Sequence, residues 1–330
     1  MQTTQKESQP AEPDALCSRA RGCLLGQLAG DALGSLVEFK TAERIRELYP
    51  RGVTHMTNGG AWNTLAGQPT DDSEMALALA RSLVRHGAFD LNAIRQSYID
   101  WVMSNPFDIG HTTFAGLGGS PNHDSEANGS LMRISPLGIF GWQFSLDTVG
   151  AWARADAALT HPNPVCLDTT VLFTQAIAHT TNTGCCAKEL YALMLDWARD
   201  QNVETSVLNT LLEAADKRPD DYHAQQGWVL IAFQNAIWQM LHAQSAEGGI
   251  IDTVMQGGDT DTNAAIAGAL LGALHGEDSL PGHWKEAILN CRPSTENPDA
   301  VRVRPDIYWP VDALELAEAL LIAGRTPQNT

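Results

Sequence analysis

Apolar residues recur with the period of an amphipathic α-helix along most of the chain. In residues 71–86, Met75, Leu79 and Leu83 are spaced four residues apart and share one helix face. Alternating, strand-like patterns are scarce, and only residues 51–56 resemble a strand. The pattern predicts an all-α fold, and it does not predict a simple bundle because no heptad repeat persists. Further helices are predicted at 165–182, 186–199, 225–243, 261–275, 280–289 and 311–324.

The predicted helices are distributed over one continuous domain. We find no internal repeat and no linker long enough to separate two domains. Residues 1–16 are rich in Gln, Glu, Ser and Pro without an apolar cluster, and we interpret them as a disordered arm. Residues 326–330 resemble a short tail. The sequence therefore predicts a single compact orthogonal multi-helix domain at 17–325.

Composition and charge narrow the functional classes. The chain of 330 residues is 44% hydrophobic and 18% charged, as in an ordinary globular protein. A formal net charge of −18 argues against a nucleic-acid partner, which requires a basic surface. We find neither a signal-peptide pattern nor an apolar run long enough to span a bilayer. The six cysteines include no CxxC pair, so we expect free thiols and a cytoplasmic location, without membrane partners.

Two aspartate-rich segments stand out chemically. Thr70-Asp71-Asp72-Ser73 and the 257–262 segment (GGDTDT) each lie at the start of a predicted helix. Helix capping explains one such segment, because Thr and Asp are good N-caps and acidic residues suit the helix dipole. Capping needs a single acceptor, whereas each segment offers two carboxylates. If the two helix starts converge, the four carboxylates repel one another unless protons or cations neutralise them.

The donor atoms of these segments favour a hard divalent cation. They offer only carboxylate and hydroxyl oxygens, which select Mg²⁺, Mn²⁺ or Ca²⁺ over zinc. Neither segment contains the His or Cys that zinc sites use. Neither has the spacing of an EF-hand loop. The residues alone therefore predict a metal site, provided that the two helix starts meet.

Six ordered motifs resemble one known family. They are GQLAGDALGSLVEF at 26–39, GQPTDDSEMALALARSL at 67–83, FDIGHTT at 107–113, ANGSLMRISPLGIF at 127–140, LTHPNP at 159–164 and GGDTDTNAAIAGALLGALHG at 257–276. In this order they resemble the ADP-ribosylglycohydrolases, in particular the dinitrogenase reductase-activating type, which removes ADP-ribose from arginine. The resemblance extends from about residue 18 to about residue 290 and implies that family's all-helical fold.

The resemblance also implies a metal centre and a catalytic pair. The family holds two Mg²⁺ or Mn²⁺ ions, which could bind the vicinal hydroxyls of ribose. Glu38 and Asp108 match residues that the family places near the metals and the ribose, as candidate acid and base. From the residues alone, Glu38 could equally be a polar residue at a helix end, and Asp108 a solvated loop residue. The matching metal ligands are Thr70, Asp71, Asp72, Asp259, Asp261 and Thr262.

Several residues are predicted to contact ADP-ribose, and the type of each also fits a structural role. Asn128, Gly129 and Ser130 precede a predicted helix whose exposed amides would suit a diphosphate, although an ordinary N-cap fits equally. The family carries Gly-Asn-Gly here, whereas this chain has Ala127 in place of the first glycine. Upstream of this turn, Ser125 could contact phosphate.

An imidazole and an indole complete the predicted ADP-ribose contacts. His161 could hydrogen-bond the ligand or be a satisfied loop residue. Trp228 could flank the adenine or be a core aromatic. Two further residues have structural interpretations: we expect Asp31 to act through hydrogen bonds and Arg133 to form a salt bridge or balance charge nearby.

The resemblance implies hydrolysis of ADP-ribose from modified protein side chains, most simply from arginine. Serine-linked ADP-ribose, its polymers and O-acetyl-ADP-ribose are alternative substrates within the family. A second hypothesis is an immunity or inhibitor protein that binds an ADP-ribosyltransferase toxin through the 1–16 arm. A metal-dependent phosphohydrolase fits the aspartates but leaves the other motifs unexplained.

Overall fold

The computed structural model describes residues 13–325 and confirms the all-α fold. Within that range there are no extended strands, and the few isolated bridges join loops. The 51–56 segment forms turns and bends. The helices are α1 (Pro13–Gly34), α2 (Ala42–Leu48), α3 (Asp71–His86), α4 (Leu91–Met103), α5 (His111–Leu117), α6 (Ser135–Phe140), α7 (Leu146–Ala158), α8 (Pro164–Thr183), α9 (Ala187–Asp200), α10 (Thr205–Glu213), α11 (Val229–His242), α12 (Ala246–Val254), α13 (Thr260–His275), α14 (Gly282–Leu289) and α15 (Ala313–Ala323).

The predicted helices agree closely with the observed ones where the periodicity is strong. The helix predicted at 71–86 is α3, and the one predicted at 261–275 is α13, which begins one residue earlier. The helix predicted at 225–243 begins only at Val229, because Trp228 adopts an extended conformation at the N-cap. The small-residue turn at 128–130 forms a single 3₁₀ turn, and α6 does not begin until Ser135.

Helix α1 lies in the centre of the domain. Every residue from Gly22 to Gly34 is buried, so the helix is apolar on nearly all sides and lacks the stripe that reveals a surface helix. It packs most extensively against α13, and a glycine-lined seam allows their backbones to touch. A Cβ at Gly26 would lie 2.1 Å from the carbonyl oxygen of Gly268. Gly272 makes the same close approach to Gly22, so both glycines of α13 permit this packing.

The same seam positions the first turn of α13. A Cβ at Gly34 would lie 2.4 Å from the Cα of Asp261, so any larger residue would push the two helices apart. Thr260 Oγ1 also donates a 2.7 Å hydrogen bond to the carbonyl oxygen of Gly34. Asp261 is thereby fixed beside the end of α1 and the turn that follows it.

The first helix begins earlier in the chain than the predicted domain boundary. Helix α1 begins at Pro13, so residues 13–16, which the composition assigned to the arm, are helical. Proline favours the first helical position and Asp14 suits the helix dipole there, which explains the early start. Residues 1–12 and the tail at 326–330 lie outside the described residues. All six cysteines are free, and within 13–325 no helix is long and apolar enough to cross a membrane.

Candidate active site

The starts of α3 and α13 converge on one cavity. It has a volume of about 360 Å³ and is lined by Asp71 from α3 and by Asp259 and Asp261 from the start of α13. Glu38 and Asp108 line the same cavity. The ligand oxygens of Glu38, Asp108 and Asp261 all lie within 4.8 Å of one another. We call these five residues, together with the adjoining buried Asp72, the acidic cluster.

Capping does not explain the aspartates of α3. The N-cap residue Thr70 makes no side-chain capping bond, and the cap is supplied from α1 instead. Asp31 accepts hydrogen bonds from the backbone N–H groups of Thr70 and Ser73, both at 3.1 Å, and from Thr70 Oγ1 at 2.9 Å. Asp31 therefore has the structural role expected for it. The side chains of Asp71 and Asp72 are left available for other contacts.

The aspartates of α13 are likewise not used as caps. Asp259 is the N-cap residue but makes no side-chain capping bond, and its Oδ2 accepts from Asn128 Nδ2 at 2.7 Å. The preceding Gly258 has φ +75°, and a Cβ there would lie 2.0 Å from the carbonyl oxygen of Tyr222. Glycine is therefore required for this loop to present Asp259 and Asp261 to the cavity.

Glu38 lies in the turn that follows α1. Its Oε2 accepts a 2.6 Å hydrogen bond from Trp62 Nε1, a contact with no local signal in the sequence. The next residue, Phe39, adopts φ +65°, and its N–H donates to the carbonyl oxygen of Gly258 at 2.8 Å. The turn carrying Glu38 is thus tied directly to the loop carrying Asp259.

Asp108 approaches from the loop between α4 and α5. It is partly buried, and two residues later the backbone N–H of Gly110 donates to Asp71 Oδ2 at 3.3 Å. This bond holds the loop over the start of α3. The cavity therefore collects carboxylates from four separate segments of the chain.

Burial and mutual repulsion raise the pKa values of the acidic cluster. Burial followed by the charge of Asp108 raises the pKa of Glu38 to about 8. Burial followed by the charge of Asp71 raises the pKa of Asp108 to about 9. Asp71 reaches a pKa of about 7 for the same two kinds of reason. Because no lysine or arginine of the described chain lines the cavity, only protons or bound cations can offset these charges.

The acidic cluster fits a divalent cation. Asp72 Oδ1 is buried and accepts no hydrogen bond from any residue in 13–325, while its Oδ2 accepts from Thr70 Oγ1 at 3.0 Å. A buried carboxylate oxygen without a partner costs at least about 1–3 kcal/mol, and a cation removes that cost. The surrounding donors are all oxygens, as Mg²⁺ and Mn²⁺ prefer. The cluster can therefore hold a metal.

The predicted ADP-ribose contacts divide into two groups. Asn128, Gly129 and His161 line the cavity. Ser130 is fully buried, at hydrogen-bonding distance from Thr170 Oγ1 (3.2 Å), and does not line it. Ser125 Oγ lies 2.8 Å from Thr112 Oγ1, and Ser125 does not line the cavity.

Trp228 lies next to the cavity and does not line it. Its Nε1 donates to Glu126 Oε2 at 2.7 Å, and its ring lines an adjoining surface depression with Asp124 and Gln225. Because α6 begins at Ser135, the 128–130 turn is not the start of an α-helix. A helix-dipole argument for phosphate binding therefore does not apply to this turn, and any anion contact there would come from individual N–H groups.

His161 is held as a neutral imidazole. Burial, followed by the nearby charge of Arg133, lowers the pKa of His161 to about 3. Its Nδ1 lies 2.7 Å from Thr160 Oγ1. Arg133 itself is fully buried and pairs with Asp156 at 3.0 Å, so it forms the structural salt bridge that was one of its two interpretations.

Three aromatic residues near the carboxylates escaped the sequence analysis. Phe39 lines the cavity, Trp62 bonds Glu38, and Phe107 precedes Asp108 and packs against Trp62 at 6.1 Å between ring centroids. Phe39 and Phe107 stand within quoted motifs, but no pattern distinguishes them from core residues. Trp62 lies outside every motif.

Comparison with known proteins identifies the family and agrees with the fold. The family model for ADP-ribosylglycohydrolase matches residues 12–329. The chain therefore belongs to the ADP-ribosylglycohydrolase family. It is a hydrolase of that family, whose members act on ADP-ribosylated substrates.

Individual relatives cover most of the chain. It is similar to the ADP-ribosyl-dinitrogen reductase glycohydrolase of Rhodospirillum rubrum, with 32% identity over 280 residues, covering 81% of this chain and 88% of the relative. It is 28% identical over 293 residues to the ADP-ribosylarginine hydrolase Tri1 of Pseudomonas putida, covering 84% of this chain and 76% of that one. A solved ADP-ribosylglycohydrolase-related protein complex matches with a TM-score of 0.77 and 25% identity, covering 94% of this chain and 100% of the other.

Proposed function

We propose that this protein hydrolyses the N-glycosidic bond between ADP-ribose and the guanidinium of a modified arginine. The observation that carries the proposal is the convergence of Asp71 from α3 with Asp259 and Asp261 from α13 on one cavity, next to the buried Asp72, whose Oδ1 has no hydrogen-bond partner among the described residues. Similarity to an ADP-ribosylarginine hydrolase and to a hydrolase acting on ADP-ribosyl-dinitrogen reductase supports arginine as the linkage. The substrate is then an ADP-ribosylated protein.

The proposed cofactor is a pair of Mg²⁺ or Mn²⁺ ions. Bound cations would supply Lewis acidity and an anchor for the vicinal hydroxyls of ribose. Burial and neighbouring carboxylates raise the pKa values of Asp72 and Asp261 well above the ordinary range. A bound cation would stabilise the ionised form of both carboxylates. We assign the metal ligands to Thr70, Asp71, Asp72, Asp259, Asp261 and Thr262.

Glu38 and Asp108 are the carboxyls able to exchange protons with the substrate. Both line the cavity, and their raised pKa values keep a proton available near neutral pH. The protonated carboxyl can donate its proton to the departing guanidinium nitrogen, while the other, in its ionised form, accepts a proton from the attacking water. Trp62 holds Glu38 in place through its 2.6 Å hydrogen bond. Such proton transfer typically contributes about 10²–10⁴-fold in rate.

Release of ADP-ribose from an arginine-ADP-ribosylated protein tests the proposal. We expect release with Mg²⁺, none after chelation, and a loss of more than about 100-fold in Asp259→Ala. Asp196→Ala is the matched control, because Asp196 is exposed on α9 and its one ion pair within the described part of the chain is with Arg199, at 3.5 Å. No release, or release unaffected by Asp259→Ala, would contradict the proposal.

The linkage is tested in the same assay. We expect arginine-linked ADP-ribose to be released faster than serine-linked ADP-ribose or acetate from O-acetyl-ADP-ribose. Preference for either of the last two substrates would move the assignment to that linkage. We expect no phosphate release from nucleotides, the reaction of a phosphohydrolase. The toxin-binding hypothesis rests on the 1–16 arm, most of which lies outside the described residues, and it stays a prediction.

A further inference from the structure

Phe39 is an apolar side chain that the fold leaves at the mouth of the cavity. Its side chain is 51% exposed although it follows directly after the buried Glu38. It lines the same cavity as the acidic cluster. A single half-exposed apolar side chain is common on a protein surface, so what distinguishes Phe39 is its position in the lining beside the carboxylates.

The backbone of Phe39 is held in an unfavourable conformation. Its φ of +65° lies in the left-handed region, where bulky residues are rare. Two hydrogen bonds impose it: Phe39 N–H donates to Gly258 O at 2.8 Å, and Gly258 N–H donates to Lys40 O at 2.9 Å. Strain of this kind concentrates at functional sites. The ring is therefore placed by the loop that carries Asp259.

Phe39 is the inner member of a group of three rings. Its centroid lies 6.3 Å from that of Trp62 at an interplanar angle of 73°, and Trp62 lies 6.1 Å from Phe107. We call Phe39, Trp62 and Phe107 the aromatic rim. Trp62 bonds Glu38, and Phe107 precedes Asp108. The rim therefore flanks both carboxyls proposed to exchange protons.

The outer end of the aromatic rim already accommodates a guanidinium. Arg302 Cζ lies 5.7 Å from the ring centroid of Phe107, and its Nε donates to the carbonyl oxygen of Trp62 at 2.7 Å. No arginine of residues 13–325 lies over Phe39. The inner end, next to the cavity, therefore has an aromatic surface that no cation of the described residues covers.

We propose that Phe39, supported by Trp62, receives the guanidinium of the arginine from which ADP-ribose is removed. The inference rests on the proposed function. A carboxyl that protonates the departing nitrogen must lie within a hydrogen bond of it, which brings the guanidinium of the substrate beside the rim. Cations are attracted to aromatic faces and guanidinium groups stack on them. A serine hydroxyl carries no charge and gains nothing from this surface, so Phe39 favours arginine linkages.

Two substitutions separate the charge-binding role of the ring from its bulk. Phe39→Leu keeps an apolar side chain without a π face, and Phe39→Trp keeps the π face. Leu and Trp carry the same Cβ as Phe, so the backbone strain is unchanged. With ADP-ribosylated agmatine and Mg²⁺, we expect Phe39→Leu to raise KM about 2–5-fold, as for an exposed cation–π contact. Phe39→Trp should equal or improve on the wild-type KM.

The control variant is Phe114→Leu. Phe114 is 56% exposed on α5 and does not line the cavity, so its KM should match that of the wild type. We expect the Kd for ADP-ribose to be the same in all variants. Equal KM values for Phe39→Leu and Phe39→Trp would overturn the inference, and so would a parallel loss of ADP-ribose affinity in Phe39→Leu.

Failure of the proposed function is recognised separately, because the wild type would then release no ADP-ribose at all. Binding of a fluorescent ADP-ribosylarginine peptide, followed by anisotropy, does not depend on turnover. The Phe39→Leu variant should bind this peptide about 2–5-fold more weakly than Phe39→Trp. Equal binding of the peptide by the two variants would show that the ring of Phe39 does not bind the guanidinium, whether or not the enzyme is active.

Discussion

The buried carboxylates of α3 differ in whether the chain supplies them with a basic partner. Glu74 is buried and paired with Arg304, whose Nε and Nη2 donate to its carboxylate at 2.8 Å, and Trp101 Nε1 adds a further 2.8 Å bond. One turn earlier, Asp71 lines a cavity whose described lining contains no lysine or arginine, and the buried Asp72 adjoins it. A carboxylate neutralised by the chain serves the fold, and one left without a counter-charge is available for a ligand.

A second structural pair strengthens this contrast. Arg133 and Asp156 are both fully buried and lie 3.0 Å apart, with Tyr98 Oη donating to Asp156 at 2.8 Å. The chain therefore supplies guanidinium partners to buried carboxylates when the fold alone needs them. No lysine or arginine of the described residues lines the acidic cavity, so protons or bound cations must offset its charges.

The largest expected effect is the loss of stability when Glu74 loses its ion-pair partner Arg304. Arg304→Met leaves Glu74 buried without its partner, and the free energy of unfolding should fall by about 3–5 kcal/mol. Urea denaturation measures this change. The double variant Glu74→Leu/Arg304→Met should recover most of the loss, because it removes the stranded charge. A single variant as stable as the wild type would show that the pair does not hold the fold.

Removing a charge from the acidic cluster should not destabilise the metal-free protein, in contrast to removing the partner of Glu74. Asp261→Asn removes one repulsive charge, so the metal-free protein should be at least as stable as the wild type. The wild type should gain about 2.7 kcal/mol at a Mg²⁺ concentration 100 times the Kd, and the variant should lose most of that gain. Thermal melts with and without Mg²⁺ measure both quantities, with Asp196→Asn as the control. Equal gains in the variant and wild type would contradict the assignment of Asp261.

The cluster should also make the metal-free protein sensitive to pH. The pKa of Glu38 is raised from 4.5 to about 8 and that of Asp71 from 3.8 to about 7. Between the unfolded and folded values the native state binds more protons, so stability should fall as pH rises from about 4 to about 8. Each proton contributes about 1.4 kcal/mol per pH unit. Denaturation at several pH values with chelator should show this slope, and saturating Mg²⁺ should flatten it. If Mg²⁺ left the slope unchanged, titrating groups outside the acidic cluster would be responsible for the pH dependence.

The smallest expected effect concerns the hydrogen bond that positions Glu38. Trp62→Phe removes the 2.6 Å bond and should reduce kcat by about tenfold, since a bond to a charged group is worth about 1.5 kcal/mol or more. The bond lowers the pKa of Glu38, so its loss should move that residue's limb of the pH–rate profile upward. Trp142→Phe, which loses only a bond to Leu321 O, is the control. An unshifted profile would make Trp62 a packing residue.

The sequence predicts the helices and the aspartates better than it predicts their surroundings. α3 and α13 have periodic apolar faces and local motifs, so their positions can be inferred from neighbouring residues. α1 was not among the predicted helices, since an all-round apolar helix has no stripe. The contact between Trp62 and Glu38 joins distant segments without a local signal. The orientation of Ser130 depends on one 3₁₀ turn, which residue type alone does not specify.

Diffraction from crystals grown with Mn²⁺ and ADP-ribose tests the central claim most directly, because the anomalous signal of manganese locates the ions independently of the protein. The account predicts two anomalous peaks within the acidic cluster, one in contact with Asp72 Oδ1, with the ribose hydroxyls beside them. Anomalous peaks confined to the protein surface, with ADP-ribose bound and the cluster free of manganese, would contradict it.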